Sequence, residues 1–323
     1  MMPKRVFVTR KIADEALSRL RAHAEVDLWT DDLPPDYTAL TQRVADCDGL
    51  LCLLTDTVDA ALISNSPKLK VISQMAVGYD NIDVTAATAQ GIAVGHTPGV
   101  LSDSTADLTW ALILGVARRV VESMQFIADG QWKTWYPLGL LGMDLKGATL
   151  GIVGMGRIGQ AVARRAQGFD MNVLYAGPRK KEGIAAEYVS MDRLLAESDI
   201  VTLHCPLRPE THHLMDAAAF AQMKRGSILV NTARGGVVEQ GALLEAVQSG
   251  HLAGAGLDVT DPEPIDPAHP IMHEPRIIVT PHIGSASVWT RQKMSEMSVD
   301  NLLAGLSGEP LPYTVNPEVR PAP

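Results

Sequence analysis

The stretch Gly154-Met155-Gly156-Arg157-Ile158-Gly159 constrains the fold of this 323-residue chain more than any other. It follows the apolar run TLGIV (149–153) and opens the helical pattern RIGQAVARRAQGF (157–169). G-x-G-x-x-G between a strand and a helix is typical of a dinucleotide-binding βαβ unit. The glycines allow a tight turn, close approach of a pyrophosphate, and close packing of helix on strand. These six residues are therefore predicted to contact a dinucleotide at the helix N-terminus.

Short apolar runs alternate with helical patterns along the rest of the chain. Strand candidates lie at 5–9, 49–54 and 70–76 before the glycine motif, and at 172–176, 199–204, 227–232, 253–259 and 276–282 after it. Continuous apolar strands that alternate with helices favour parallel sheets covered on both faces. The predicted fold class is α/β, with two doubly wound parallel-sheet domains of Rossmann-like or flavodoxin-like type. Residues 1–99 with 285–323 are assigned to one domain and residues 100–284 to the other, because the long helical pattern at 286–306 could return to the first.

Composition and charge exclude several classes of protein. A formal net charge of −9 with no basic stripe does not favour a nucleic-acid surface. The apolar run LTWALILGVA (108–117) is shorter than the ~20 residues of a membrane span. Three cysteines argue against a disulfide framework, and the N-terminus lacks the features of a secretory signal. We expect a cytoplasmic protein that binds neither nucleic acid nor membranes.

The turn after the strand NVLYA (172–176) bears on the choice of dinucleotide. NAD sites usually carry an acidic residue there, which holds the ribose hydroxyls. Gly177 occupies that end of the strand, whereas Asp170 precedes the strand and lies at its wrong end. Arg179 and Lys180 follow and could neutralise a 2′-phosphate, although they could also form an ordinary solvated turn. The turn predicts NADP(H) as cofactor, with NAD(H) as the weaker alternative.

Polar residues follow the later strands of the second domain. Arg234, Asp258, Glu263 and His282 come after three successive strand candidates, whose carboxyl ends should share one edge of the sheet. Arginine could hold a carboxylate and polarise a carbonyl, histidine could protonate the new alkoxide, and glutamate could orient the imidazole. Asp258 could equally serve structural hydrogen bonding. This set predicts carbonyl reduction.

The remaining histidines are interpreted as structural. His212 and His213 are adjacent and should point in different directions on a helix or strand, so no metal site is predicted. The structural interpretation covers His23, His96, His204, His212, His213, His251, His269 and His273.

The motifs NTARGG (231–236), LDVTDPEP (257–264) and PHIGSAS (281–287) closely resemble the signatures of the D-isomer-specific 2-hydroxyacid dehydrogenases. The resemblance extends over essentially the whole chain, through VGYDNID (77–83) and NLLAGLSGEPLP (301–312) among others. It implies two domains with a cleft between them, the first binding substrate and the second the dinucleotide, and a homodimer. The most similar branch reduces glyoxylate and hydroxypyruvate to glycolate and D-glycerate.

The resemblance also implies a role for individual residues. Arg234, Glu263 and His282 would form the catalytic set. Val77 and Gly78 would bind the substrate carboxylate through their N–H groups, Arg234 and Ser285 would lie beside the substrate, and Trp135 would either reach the active site of the partner subunit or be an ordinary interface aromatic. The implied cofactor contacts are Thr105, Gly154, Met155, Gly156, Arg157, Ile158, Arg179, Pro206, Thr232, Asp258 and Gly284.

Two other functions stay open at this point. A reductase of a bulkier 2-keto acid, such as 2-ketogluconate or phenylpyruvate, would share these motifs, and Tyr79 stands at a position that varies between branches. A dinucleotide-sensing corepressor would share the fold and the triad, although the basic turn counts against it. Formate oxidation fits less well, because that branch pairs its histidine with glutamine and Glu263 stands here.

Overall fold

The computed structural model describes residues 3–319, which divide into two compact units. The first contains the chain up to Leu101 together with the residues from Ala286 onward, and the second is Ser102–Ser285. Among the described residues, no helix is both long enough and apolar enough to cross a membrane. The three cysteines are free thiols.

The first unit is built around a parallel five-stranded sheet. Its strands are β1 (Arg5–Val8), β2 (Glu25–Leu28), β3 (Gly49–Cys52), β4 (Val71–Gln74) and β5 (Ala93–Gly95), in the order β2-β1-β3-β4-β5. This is the strand order of flavodoxin-like folds. Its first four helices are α1 (Asp14–Arg21), α2 (Tyr37–Val44), α3 (Ala60–Ser64) and α4 (Val84–Ala89).

Local sequence explains where these helices begin. Asp36, Asp59 and Asp83 are the N-cap residues of α2, α3 and α4, and each side chain accepts a hydrogen bond from a backbone N–H of the first turn. Such caps satisfy donors that the helix itself leaves unpaired. The strand candidates at 5–9, 49–54 and 70–76 contain β1, β3 and β4, whereas β2 and β5 were not among them. β2 is half-buried with the polar sequence EVDL, and β5 has only three residues, so neither gives a clear apolar run.

The second unit contains a parallel seven-stranded sheet. Its elements are α5 (Ser102–Ala117), α6 (Val120–Ala128), β6 (Thr149–Val153), α7 (Arg157–Ala166), β7 (Asn172–Ala176), β8 (Glu187–Tyr188), α8 (Met191–Glu197), β9 (Ile200–Leu203), α9 (Ala217–Gln222), β10 (Ser227–Asn231), α10 (Gln240–Gln248), β11 (Leu252–Leu257) and β12 (Ile277–Val279). The spatial order is β12-β11-β10-β9-β6-β7-β8. Numbered within the unit, this is the Rossmann order 3-2-1-4-5-6 with one further strand at the edge.

The last helix, α11 (Val288–Leu306), packs on β3, β4 and β5 of the first unit. Its N-terminus is capped by Ser287, whose hydroxyl accepts from the backbone N–H of Thr290. Both sheets are parallel and have buried strands in their interior, so the predicted α/β class with two parallel-sheet domains is confirmed. The assignment of substrate binding to the first unit and of dinucleotide binding to the second stays a prediction from the sequence.

Candidate active site

The second sheet reverses its strand order between β6 and β9, and open α/β sheets bind ligands at that point. Gly154 follows β6, and His204 and Cys205 follow β9. Gly154 has φ of 98°, and a Cβ on it would stand 2.7 Å from the backbone of His204 and Cys205. Only glycine fits there, both for its backbone conformation and for this close approach.

The other two glycines of the glycine loop (154–159) differ in what surrounds them. A Cβ on Gly159 would lie 2.3 Å from the carbonyl oxygen of Gly154, so this glycine allows α7 to pack against the loop. Gly156 is exposed at the N-cap of α7, and a Cβ there would meet nothing within 4 Å. The open space lies at a helix N-terminus, which favours anions. The glycine loop therefore fits the pyrophosphate of a dinucleotide.

The side chains of the glycine loop point to different surroundings. Met155 packs into the core, so any contact that it makes with a cofactor would come from its backbone. Arg157 is exposed and Ile158 is half-buried. The loop thus offers backbone N–H groups and one cation on its open side.

The backbone of the basic turn (177–181) is held by two tyrosines. The Tyr175 hydroxyl accepts from the Lys181 N–H at 2.8 Å and donates to the Lys181 carbonyl at 3.2 Å. The Tyr188 hydroxyl donates to the Gly177 carbonyl at 2.8 Å. The turn therefore has a defined backbone although it lies at the surface.

The side chains of the basic turn are solvated and available. Arg179 and Lys180 are exposed, and within residues 3–319 neither has an acidic partner. Gly177 is outside the left-handed region, and a Cβ on it would meet nothing within 4 Å. Asp170 lies before β7, at the opposite end of that strand. The position that holds an acid in NAD sites is thus open and without charge.

The predicted histidine and glutamate are in direct contact. Nδ1 of His282 lies 2.5 Å from Oε1 of Glu263. Because a carboxylate oxygen accepts, Nδ1 of His282 donates, and Nε2 is left to face a reactant. His282 has φ of 53°, a conformation uncommon for residues other than glycine. Its backbone N–H donates to the carbonyl oxygen of Asp258 at 2.9 Å, which helps to hold it.

Asp258 positions the segment that carries His282. The residue is 1% exposed, and its carboxylate oxygens accept from the Thr280 hydroxyl at 2.6 Å and from the N–H groups of Ile283 and Gly284 at 2.8 Å each. Burial raises the pKa of the Asp258 carboxyl, and these hydrogen bonds oppose the rise. The sequence allows either structural hydrogen bonding or cofactor contact for Asp258, and the structure contains the structural hydrogen bonds. The cofactor contact stays a prediction.

Three predicted cofactor contacts lie in one region. A Cβ on Gly284 would come within 3.3 Å of Cγ2 of Thr105, which is buried in α5. One turn along α5, the Thr109 hydroxyl donates to the Thr105 carbonyl at 2.8 Å and lies 3.0 Å from the Thr232 hydroxyl. Thr109 joins the others although the sequence did not single it out.

His204 has a place in this region that the sequence did not reveal. Its Nδ1 lies 3.4 Å from the Thr232 hydroxyl and its Nε2 3.0 Å from the Thr202 hydroxyl. Burial lowers the pKa of His204 to about 3, so its ring is neutral at neutral pH. A neutral imidazole donates through one nitrogen and accepts through the other, which suits two hydroxyl neighbours. The alternating polar residues Thr202 and His204 at the end of an apolar strand were the available signal.

Arg234 is positioned by a residue of its own motif. It follows β10 and is half-buried. The buried side chain of Asn231 donates to the Arg234 carbonyl at 2.9 Å and accepts from the Ala233 N–H at 3.0 Å. Asn231 thereby fixes the turn from which the arginine side chain extends.

The other predicted residues of this unit lie at its surface. Pro206 is exposed after β9, and its carbonyl oxygen accepts from the Thr211 hydroxyl at 2.7 Å. Ser285 is half-buried and follows Gly284. Trp135 is 80% exposed in the irregular segment between α6 and β6.

Val77 and Gly78 lie in the first unit, after the carboxyl end of β4. Both are half-buried, and in the part of the chain that the structure describes their N–H groups have no hydrogen-bond acceptor. Two successive N–H groups without acceptors can bind an anion. Available N–H groups on Val77 and Gly78 are what binding of a substrate carboxylate, the role implied by the family resemblance, would require.

The expectation that His212 and His213 point in different directions is wrong. Their rings stack with centroids 4.0 Å apart, because His213 has φ of 50° and turns the chain at this point. With Asp261 they form an exposed group whose ligand atoms lie within 4.8 Å of one another. The prediction that no metal binds therefore loses the reason given for it and stays a prediction.

Comparison with known proteins gives a consistent result. Residues 110–284 match the family model described as "D-isomer specific 2-hydroxyacid dehydrogenase, NAD binding domain". A glyoxylate reductase from Korarchaeum cryptofilum is 50% identical, over 98% of this chain and 97% of that protein. The crystal structure of the TT0316 protein from Thermus thermophilus matches with a TM-score of 0.92 and 50% identity, covering 96% of this chain and 99% of that one.

A further solved structure contains ligands. It is an NADPH-dependent glyoxylate/hydroxypyruvate reductase from Sinorhizobium meliloti in complex with NADP and malonate. This chain is 31% identical to it with a TM-score of 0.88, and the match covers 99% of each chain.

Proposed function

This chain belongs to the D-isomer-specific 2-hydroxyacid dehydrogenases, oxidoreductases that use a nicotinamide dinucleotide, and we propose that it reduces glyoxylate and hydroxypyruvate to glycolate and D-glycerate with NADPH. The observation that carries the proposal is the 2.5 Å contact between His282 and Glu263 at the sheet edge that also bears the glycine loop. A proton donor and a dinucleotide-binding loop at one edge are the equipment of a carbonyl reductase. The relatives named glyoxylate reductase support this substrate class.

The reaction adds a hydride and a proton across a carbonyl group. A dinucleotide held by the glycine loop and the basic turn would supply, in its reduced form, a hydride for the carbonyl carbon. His282 donates its Nε2 proton to the developing alkoxide, so that the carbonyl becomes a hydroxyl. Glu263 holds Nδ1 of the imidazole and thereby fixes the direction of Nε2. The Arg234 guanidinium stabilises negative charge on the carbonyl oxygen as it forms.

Other residues bind the substrate. Backbone N–H groups hold a carboxylate well, because hydrogen bonds to a charged acceptor are shorter and stronger than neutral ones. We assign this role to Val77 and Gly78, and a place beside the substrate to Ser285. The substrate class is thus a 2-keto acid, since both a carboxylate and a neighbouring carbonyl are recognised.

The basic turn supports NADPH as the preferred cofactor. Exposed Arg179 and Lys180 offer charge to a 2′-phosphate, and the uncharged Gly177 does not repel it. The Sinorhizobium meliloti relative is described as NADPH-dependent, which agrees with this preference.

The segment from α6 to β6 supports a homodimer. It exposes Met124 (66%), Trp132 (64%), Trp135 (80%) and Leu138 (82%). So many large apolar side chains on one exposed segment favour a protein–protein interface. In the homodimer that we propose, this segment contacts the second subunit, with Trp135 as an interface residue.

The test of the proposed function is a substrate panel. NADPH oxidation is measured with glyoxylate, hydroxypyruvate, 2-ketogluconate and phenylpyruvate at one ionic strength. We expect the highest kcat/KM with glyoxylate or hydroxypyruvate. A preference for either bulkier acid would replace the proposed substrate, and tight dinucleotide binding without turnover of any acid would favour a sensor.

A further inference from the structure

In the loop that follows β4, successive backbone carbonyls accept hydrogen bonds from residues on one side of the loop. The Ala76 carbonyl accepts from the Thr97 backbone N–H at 2.9 Å. The next carbonyl, that of Val77, accepts from Nδ1 of His96 at 2.9 Å. Two neighbouring residues, His96 and Thr97, therefore bind two successive carbonyls of the loop.

This arrangement fixes the direction of two N–H groups. In a trans planar peptide the C=O and N–H bonds point in opposite directions. The peptide that contains the Ala76 carbonyl carries the Val77 N–H, and the peptide that contains the Val77 carbonyl carries the Gly78 N–H. Because both carbonyls point toward residues 96 and 97, both N–H groups point away from them. Two adjacent N–H groups on one side form a concave site for an anion.

We propose that His96 is a positioning residue for the substrate carboxylate, acting through the peptide between Val77 and Gly78. The inference rests on the proposed function, because it concerns the carboxylate that this function assigns to the same loop. The role that we assign to His96 is positioning, because its Nδ1 contacts the back of the loop. The acceptor is a carbonyl oxygen, so Nδ1 of His96 carries a proton and donates it.

The surroundings of His96 hold it in place. The buried Asn301 donates to the His96 carbonyl at 3.1 Å. The Tyr79 ring meets the His96 ring edge to face, with centroids 5.7 Å apart. The imidazole is therefore fixed by its backbone, by an aromatic contact and by its hydrogen bond to Val77.

Gln74 holds the following peptide in the same way. Its side chain is buried and donates to the Gly78 carbonyl at 3.3 Å and to Oδ1 of Asn81 at 2.8 Å. Asn81 in turn donates to the carbonyls of Leu53 and Asp56 at 3.0 Å and 2.7 Å. The carbonyls of Ala76, Val77 and Gly78 thus each accept a hydrogen bond from behind the loop. The donor to the Val77 carbonyl is the half-buried side chain of His96, which can be exchanged for another of similar shape.

The test compares two substitutions of His96. His96→Asn keeps a donor, because its amide nitrogen is as many bonds from the backbone as Nδ1 of histidine. His96→Leu keeps an apolar contact for Tyr79 and removes the donor. With glyoxylate and NADPH, we expect His96→Leu to raise KM about tenfold and to change kcat less than about threefold, since one charge-assisted hydrogen bond is weakened. His96→Asn should stay close to wild type.

A second readout does not depend on turnover. Oxalate has carboxylates and no reducible carbonyl, and its binding to the protein–NADPH complex is followed by NADPH fluorescence. Oxalate affinity should fall about tenfold in His96→Leu and be retained in His96→Asn. Equal oxalate affinity in all three proteins would overturn the inference, as would equal losses of kcat and affinity in both variants. A wild type that binds oxalate but does not reduce glyoxylate would contradict the proposed function and leave the oxalate comparison as the test of His96.

Discussion

The segment around Asp258 and the basic turn (177–181) lie at the same edge of one sheet but are built in opposite ways. Asp258 is buried, and three donors of the segment 280–284 converge on its carboxylate. In the basic turn the backbone is tied by Tyr175 and Tyr188, while Arg179 and Lys180 extend into solvent. Around Asp258, buried hydrogen bonds fix the geometry of the segment, whereas in the basic turn only the backbone is fixed and the cationic side chains are exposed.

This difference separates catalysis from cofactor choice. A buried acceptor that loses its donors costs about 1–3 kcal/mol of stability, so the segment around Asp258 tolerates little change. Exposed side chains away from such contacts can be exchanged within about ±0.5 kcal/mol. We therefore expect cofactor preference to be easy to alter without loss of fold, and proton donation to be easily lost.

The largest effect is expected from removal of the proton donor. His282→Asn should lower kcat by roughly 10²–10⁴-fold, since general acids contribute that much, and should leave NADPH affinity unchanged. Asparagine tolerates the φ of 53° at this position. The measurement is kcat with glyoxylate beside an NADPH titration, with His273→Ala as the control because His273 is an exposed histidine. Parallel losses of rate and cofactor affinity would show that His282 is structural.

The next largest effect concerns the basic turn. Gly177→Asp combined with Arg179→Gln and Lys180→Gln should reverse the cofactor preference, because the carboxylate would accept the ribose hydroxyls of NADH and repel a 2′-phosphate. Reversal requires the kcat/KM ratio of NADPH to NADH to fall by more than the preference of about ten- to a hundredfold that we expect of the wild type, which is the scale of one or two lost charge-assisted hydrogen bonds. An aspartate fits at position 177, where a Cβ meets nothing within 4 Å. If the triple variant keeps the wild-type ratio, the turn does not select the cofactor.

Substitution of the buried carboxylate of Asp258 should lower the stability of the fold, whereas substitution of the basic turn should not. The carboxylate now accepts hydrogen bonds from two backbone N–H groups. In Asp258→Asn the amide NH₂ would face one of these N–H groups, donor against donor, so we expect a loss of about 2 kcal/mol in the free energy of unfolding. Denaturant unfolding of this variant is compared with Asp261→Asn, which changes an exposed carboxylate three residues later. Equal stability of the two variants would contradict the positioning role of Asp258.

A smaller effect is expected at His204. Its pKa of about 3 in the folded protein lies below the value of about 6.5 for an unfolded chain, so only the unfolded state binds a proton in that window. Its contribution to stability is complete above pH 6.5 and is lost as the pH falls toward 3. At pH 5.5 the loss of unfolding free energy is at most about 1.4 kcal/mol, and it is smaller if water reaches this half-buried residue.

The measurement compares wild type with His204→Asn by denaturant unfolding at pH 7.5 and pH 5.5. The variant should lose less stability than wild type over this interval. An equal loss in both proteins would mean that His204 is protonated as readily in the folded state as in the unfolded chain.

Much of the fold could be predicted from the sequence because parallel strands give continuous apolar runs. The run 149–153 coincides with β6 and the run 172–176 with β7. β2 and β5 gave no such run, because one carries polar residues on a half-buried edge and the other is very short. The proximity of Glu263 to His282 followed from the rule that carboxyl ends of parallel strands share an edge.

The supporting contacts could not be predicted in the same way. His96 and Asn301 meet although 205 positions separate them, and Thr109 meets Thr232 across 123 positions, so no local pattern shows these pairs. The error at His213 has a local cause. His213 has a left-handed backbone conformation, so the chain turns at a position for which the sequence analysis considers only a helix or a strand.

The cofactor preference of the unmodified protein tests the contrast between the two regions most directly. With glyoxylate as substrate and fixed ionic strength, kcat/KM is measured for NADPH and for NADH. Arg179, Lys180 and the uncharged Gly177 predict a preference for NADPH on the order of ten- to a hundredfold, because solvent weakens each charge-assisted hydrogen bond of this exposed turn. A ratio near one, or a preference for NADH, would show that the cations of the basic turn are only solvated surface charges.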